Sequence, residues 1–271
     1  LVVVAQALDS AGKASATTGR PIVGGGAIFA ADSHSDVELF GTFFHPWRMK
    51  AGALDVFALD VTGAAVLLKG HSRRFAWAWT EGRRFVPDCY EVRTERDDPR
   101  TFRFDGVLHR MEVRPYRIAV KGSDPIEGQF EYTRHNGVLS PVVARSGERA
   151  WVSSGSYAGR TGLAHDQFRQ IALAPDREGL ERGLAGQDLY PANLLMAGAD
   201  GSILFIRPGR QPVRPPGWSA EKPADGNVSA TAWRGLHSYG VKLKLWDPPE
   251  GYVTNQMTGE EIRIMERARR R

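Results

Sequence analysis

The stretch Asn193-Leu-Leu-Met-Ala-Gly-Ala-Asp-Gly-Ser-Ile-Leu-Phe-Ile-Arg-Pro-Gly-Arg-Gln-Pro-Val-Arg214 constrains the fold more than any other part of the chain. Leu194, Leu195 and Met196 form one apolar run, Ala199-Asp200-Gly201 a turn, and Ile203 to Ile206 a second apolar run. An Asp-Gly pair between apolar runs signals a β-hairpin, because glycine accepts the positive φ that a tight turn needs. Pro208 and Gly209 then stop the returning strand. A chain with this element must complete a sheet around it.

The rest of the sequence supplies strands. Thr101-Phe-Arg-Phe-Asp-Gly-Val-Leu-His-Arg-Met-Glu-Val113 reads as a second Asp-Gly hairpin. Arg74-Phe-Ala-Trp-Ala-Trp-Thr80 alternates in period two, as a half-buried strand does. Residues 1–5, 19–31 (strand, glycine-rich turn, strand), 53–59, 64–68, 85–93, 114–120 and 129–133 also read as strands. Two helices are expected. Residues 163–174 are amphipathic through Leu163, Phe168, Ile171 and Leu173. Residues 176–184 form the second, capped by Asp176 and ending before Gly186. Many antiparallel strands beside two helices predict a layered α+β fold. Residues 211–226, rich in proline, glycine and charge, read as a surface loop.

Charge and cysteine content narrow the function classes. The net charge is +5, but Lys and Arg are interspersed with Asp and Glu except at Arg267–Arg271. No RNA-binding aromatic signature, zinc-finger spacing or helix-turn-helix pattern is present, so no nucleic-acid partner is expected. No apolar run reaches the length of about 18 residues that a spanning helix needs, so no membrane partner is expected either. The single cysteine, Cys89, excludes an internal disulfide and a Cys-based metal framework, and it reads as a small buried core thiol. Gly24-Gly25-Gly26 lacks the Lys-Ser/Thr of a phosphate loop and runs into a strand.

Four further segments share one resemblance. Gly70-His-Ser-Arg-Arg-Phe-Ala-Trp-Ala-Trp-Thr80, Tyr132-Thr-Arg-His-Asn-Gly-Val-Leu-Ser140 and Asp247-Pro-Pro-Glu-Gly-Tyr-Val-Thr-Asn255 resemble segments of the penicillin acylase (penicillin amidase) family of N-terminal-nucleophile (Ntn) hydrolases, in that family's order. Ala30-Ala-Asp-Ser-His-Ser35 and the 193–214 hairpin are similar to two more. The resemblance implies an α/β/β/α four-layer sandwich with antiparallel sheets over residues 1–258, possibly part of a longer precursor, and a basic tail over 259–271. It implies an amidohydrolase that cleaves a linear amide between an acyl group and an amine through an acyl-enzyme. It also implies no cofactor and no metal, a small-molecule amide substrate, a complementary chain released from the same precursor, and a periplasmic or secreted location.

The family's chemistry gives each candidate residue its role. The nucleophile is the first residue of a chain released by self-cleavage, and its own α-amine is the base. An α-amine with a pKa near ~8 can accept a proton around neutrality. By position, Asn255 matches the side-chain donor of the oxyanion hole, and the main-chain N–H of Glu81 matches its second donor. His34 falls beside the first hairpin, at a structural or oxyanion-adjacent position. Trp77, Trp79, Phe57 and Phe44 are candidates to line an acyl pocket, with ordinary core packing as the alternative. His71 and His135 read as structural, since no motif places a carboxylate or metal near them. Leu1 cannot attack a carbonyl. The nucleophile is therefore Ser10, Thr18 or a residue preceding Leu1. The alternative is a non-catalytic subunit that has lost its nucleophile and serves binding or assembly.

Overall fold

The computed structural model describes residues 2–7, 16–21, 27–33, 44–61, 69–81, 87–189 and 192–256. They fall in two compact units, one drawing on Leu1–Arg83, Thr161–Arg210 and Ser238–Arg271, the other on Arg84–Arg160 and Gln211–His237. The first unit opens with β1 (Val2–Ala7), β2 (Ala16–Pro21), β3 (Ala27–Ser33), β4 (Phe44–Ala51), β5 (Leu54–Val61), β6 (Lys69–His71) and β7 (Phe75–Glu81). The chain then builds the second unit from β8 (Asp88–Arg93), β9 (Thr101–Phe104), β10 (Val107–Arg110), β11 (Glu112–Ile118), β12 (Ile126–Thr133), β13 (Ser140–Ser146) and β14 (Arg149–Ser154). It returns to the first through α1 (Thr161–Leu173), α2 (Arg177–Leu184), β15 (Ala192–Gly198) and β16 (Ile203–Ile206). β17 (Ala224–Asp225) adds to the second unit, and β18 (Lys244–Trp246) and β19 (Val253–Gln256) complete the first. The strand expected over 64–68 lies outside the described residues.

The first unit is a sandwich. One sheet has the order β18-β16-β15-β7-β6-β5-β4, the other β1-β3-β2-β19. The hairpin that opens the sequence argument lies at the heart of the larger sheet. β15 pairs antiparallel with both β16 and β7, and all its residues are buried. Period-two alternation divides β7 between two cores. Phe75, Trp77 and Trp79 face the helices with Phe168, Ile171, Leu180 and Leu184. Ala76 and Ala78 face the second sheet with Leu195, Ala197, Ile203 and Val253. Small residues on that side let the sheets approach closely, and large ones on the other fill the space under α1 and α2. Each large apolar side chain so buried contributes roughly 1.5–3 kcal/mol. The order helices, sheet, sheet supplies three of the four layers expected from the sequence, and a second helical layer is not formed by the described residues.

Local signals behave as their chemistry dictates. Asp176 caps α2 by accepting the Gly179 N–H at 2.8 Å. In the loop of the first hairpin, Asp200 Oδ1 accepts the Ser202 N–H at 3.0 Å, and Gly201 takes φ +92°. In the second hairpin Asp105 and Gly106 both have positive φ, 49° and 82°, the backbone that lets a two-residue turn match the strand twist.

The second unit is a six-stranded sheet, β11-β12-β13-β14-β8-β17, with the β9-β10 hairpin beside it. Its core is smaller: Tyr90, Val92, Phe102, Met111, Ala150 and Val152. Cys89 corrects the expectation of a buried thiol. β8 alternates buried and exposed positions, and residue 89 falls on the exposed side. The 211–226 segment is mostly loop, yet it carries Arg214, half-buried and paired with the buried Asp88, which surface-loop composition does not announce.

Candidate active site

The site is built from the ends of two strands in different sheets. β19 reaches position 255 after a turn that the motif Asp247-Pro-Pro-Glu-Gly explains. Asp247 has φ 44°, a conformation that Asp tolerates better than most residues. Its N–H donates to the Ile203 carbonyl at 2.9 Å, and its Oδ1 accepts the Ile203 N–H at 2.8 Å. The aspartate thereby staples the turn to the start of β16. The Gly251 N–H closes the turn on the Pro248 carbonyl at 2.8 Å. Val253 then enters the inter-sheet core, and two residues on, Asn255 pairs with Thr17 of β2.

The second strand is β7. Its approach needs Gly70 in β6, because a Cβ there would lie 2.3 Å from the Phe57 carbonyl oxygen of β5. The turn into β7 is held by Ser72, whose hydroxyl accepts the N–H groups of Arg74 and Phe75, both at 3.2 Å. β7 ends at Glu81, opposite Ala192 of β15. The neighbouring Asn193 is fully buried and accepts the Arg207 Nε–H at 2.7 Å. A buried amide bonded to a buried guanidinium anchors the start of β15 beside the end of β7.

The Thr-Arg-His motif is a structural device in the second unit. His135 Nε2–H donates to the Gly226 carbonyl at 2.7 Å, so Nδ1 accepts from the Thr133 hydroxyl at 2.7 Å. The ring stacks on Tyr90 at 5.0 Å. Burial lowers its pKa below the ordinary histidine value, outweighing the hydrogen bond to Gly226. This is a neutral imidazole used as a bracket. The next residue, Asn136, bonds Tyr90, Ser154 and the Trp233 N–H. The last arginine of the long hairpin motif, Arg214, forms a bidentate pair with Asp88, with contacts from 2.8 to 3.1 Å. The Trp233 indole donates to the same carboxylate at 2.6 Å, and Trp218 covers the guanidinium at 4.0 Å.

Comparison with known proteins decides what this scaffold is. The family model of penicillin amidase matches residues 16–261. The chain belongs to the penicillin amidase family. An acyl-homoserine lactone acylase of Pseudomonas putida is 28% identical over 109 residues, 40% of this chain and 14% of that protein. A thermostable penicillin G acylase from Alcaligenes faecalis superposes with a TM-score of 0.76 at 20% identity, over 90% of this chain and 44% of that one. The chain thus spans less than half the length of the solved acylase, and the aligned stretch is a small part of the curated one. The likeness to the solved structure carries the fold.

Within this penicillin amidase scaffold the candidate residues separate. Glu81 ends β7 and Asn255 is the penultimate residue of β19, in the two sheets that share the inter-sheet core. Thr18 lies inside β2, between Ala30 of β3 and Thr254 of β19. Ser10 and His34 lie outside the described residues. Trp77 and Trp79 lie on the helix side of the larger sheet, away from the inter-sheet core, and Trp79 packs edge-on to Phe168 at 5.5 Å. Both are buried in that helix-side cluster. Phe57 is 37% exposed and lies 5.8 Å from the His71 ring. Phe44 opens the edge strand β4. Asn193, Arg207, Asp88 and Arg214 were given no role from sequence. For Asn193, Arg207 and Arg214 the one available signal is that polar residues within an apolar hairpin motif need partners; Asp88 lies in β8, outside that motif.

Proposed function

We propose that this chain carries the oxyanion hole of an Ntn amidohydrolase that cleaves a linear amide between an acyl group and an amine. The hydroxyl of a chain-terminal Ser or Thr attacks the amide carbonyl, and its proton passes to the terminal α-amine. The Asn255 side-chain amide and the Glu81 main-chain N–H hold the tetrahedral oxyanion. Collapse expels the amine with that proton and leaves an acyl ester, which water then hydrolyses. One preorganised donor of this kind is worth about 3–4 kcal/mol.

The observation that carries the reading is the inter-sheet cluster. It holds Val253, two residues before Asn255, together with Ala78, three residues before Glu81. Both donors therefore follow directly from anchored strand positions, which is what preorganisation requires. The names of the two relatives, an acyl-homoserine lactone acylase and a penicillin G acylase, support acyl amides as the substrate class. A complementary chain of the same precursor is the partner this reading calls for.

Asn255→Ala in the full-length protein is expected to lower kcat by about 10²–10³-fold with the fold intact. Turnover at the parental rate would refute the oxyanion assignment. Intact mass, N-terminal sequencing and labelling with a sulfonyl fluoride decide among Ser10, Thr18 and a residue preceding Leu1. A protein with no labelled Ser or Thr terminus would instead be a binding or assembly subunit.

A further inference from the structure

The segment that delivers β19 is held from one side by helix α2. Glu181 accepts the Trp246 indole N–H at 2.6 Å and the Lys244 ammonium at 2.9 Å, and it also accepts the Tyr239 hydroxyl. Burial raises the Glu181 carboxyl, but these three donors outweigh it and hold its pKa below the ordinary glutamate value. One helical turn earlier, Arg177 stacks 4.1 Å above the Trp246 ring and donates to Asp247 Oδ2 at 3.0 Å. Asp247 is the residue stapled to Ile203 on both its N–H and its side chain. The helix is itself fixed, with Leu180 and Leu184 fully buried against the larger sheet. The segment is unevenly held: Tyr239 and Trp246 pack at the edge of the helix-side core and Trp246 pairs with Leu204 of β16, whereas Val241 and Tyr252 are exposed.

We propose that α2 is a clamp that sets the position of β19, with Glu181 and Arg177 as positioning residues for the Asn255 amide. The proposal rests on the assignment of Asn255 to the oxyanion hole. Its physical basis is the stiffness of the short connection. Pro248 and Pro249 each have a fixed φ, and the Gly251 N–H locks the turn, so a shift at Trp246 or Asp247 is passed along the chain rather than absorbed. Oxyanion donors work within a few tenths of an ångström, and a misplacement of about 1 Å costs roughly 10²-fold in rate. The half-exposed Arg177–Asp247 ion pair contributes little on its own. β18 is paired along its backbone with β16, and Glu181 adds the side-chain grip: its removal leaves an indole, an ammonium and a phenol without their common acceptor.

The test uses the full-length protein and two readouts. The first is hydrogen exchange of the 253–256 amides followed by mass spectrometry, which needs no substrate. Glu181→Ala is expected to speed exchange there about tenfold while leaving 192–198 unchanged, and Glu181→Gln, which keeps an acceptor, to restore most of the protection. Unchanged exchange at 253–256, or equal acceleration throughout the first unit, would overturn the clamp. The second readout is turnover of phenylacetyl and decanoyl p-nitroanilide. Glu181→Ala is expected to lower kcat about tenfold or more at constant KM, and this loss is expected to vanish in an Asn255→Ala background. A full additional loss in that background would overturn the positioning role. Parental turnover in Asn255→Ala alone would remove the oxyanion reading and leave the clamp to be decided by exchange.

Discussion

The two units of this chain solve the same problem with different materials. The first buries aliphatic and tryptophan side chains on both faces of one sheet, in two clusters that α1, α2 and the second sheet complete. The second has, among the described residues, a core of six buried residues and adds a polar scaffold. In it the buried Asp88 binds Arg214 and Trp233, His135 brackets Thr133 to Gly226, and Asn136 joins three neighbours. Apolar burial is non-directional and forgiving of small shifts. A satisfied polar network fixes one arrangement, but it fails sharply when a single member is lost. The first unit should therefore lose stability in proportion to volume removed, and the second according to which partner is orphaned.

The largest expected effect tests this contrast directly. Asp88→Ala leaves the half-buried Arg214 guanidinium and the Trp233 indole without their common carboxylate. It should cost about 3–5 kcal/mol in denaturant unfolding, and the double variant Asp88→Leu/Arg214→Met should recover much of the loss. A cost below about 1 kcal/mol would mean that the second unit does not depend on its polar scaffold. Next comes Leu195→Ala in the fully buried β15, with an expected cost of about 2–5 kcal/mol from lost transfer energy and the cavity left behind. Leu195→Met, which conserves volume, should cost less than about 1.5 kcal/mol.

The two smaller effects are pH-dependent, of the same sign, and fall in different pH windows. The folded-state pKa of His135 is depressed by burial, so the unfolded chain binds the proton more readily. Its contribution is therefore complete above the ordinary histidine value of about 6.5 and is lost as pH falls below it. Relative to His135→Phe, the parent should lose melting temperature on acidification from pH 7 to 5. Equal slopes would exclude a buried neutral imidazole. In the first unit, burial and then the nearby Arg210 depress Lys242 to about 8. Between that value and about 10.5 the unfolded chain again holds the extra proton, so stability rises with pH across this window. The parent should gain on Lys242→Met between pH 7.5 and 9.5, by on the order of 1 kcal/mol. No gain would place the ammonium in water.

Much of this was legible in the residues. The hairpins appear where an Asp-Gly pair interrupts apolar runs, and α2 begins after the aspartate that caps it, because turns and caps depend on side chains a few positions apart. The alternation of Phe75, Trp77 and Trp79 with Ala76 and Ala78 announced a two-faced strand. It did not say which face would meet helices and which a sheet. Cys89 illustrates the same limit, since a strand pattern does not state which side is inward.

Local chemistry alone thus determined the turns, the caps, the strand periods and, through family likeness, the candidacy of Asn255 and Glu81. Only the tertiary structure decided which distant charges meet. Asp88 and Arg214 are separated by 126 positions, and Glu181 gathers donors from 58 to 65 positions away. Such pairings follow from sheet order and helix packing, which no short-range spacing encodes. A charge buried by the fold must find its partner wherever the fold brings one within reach.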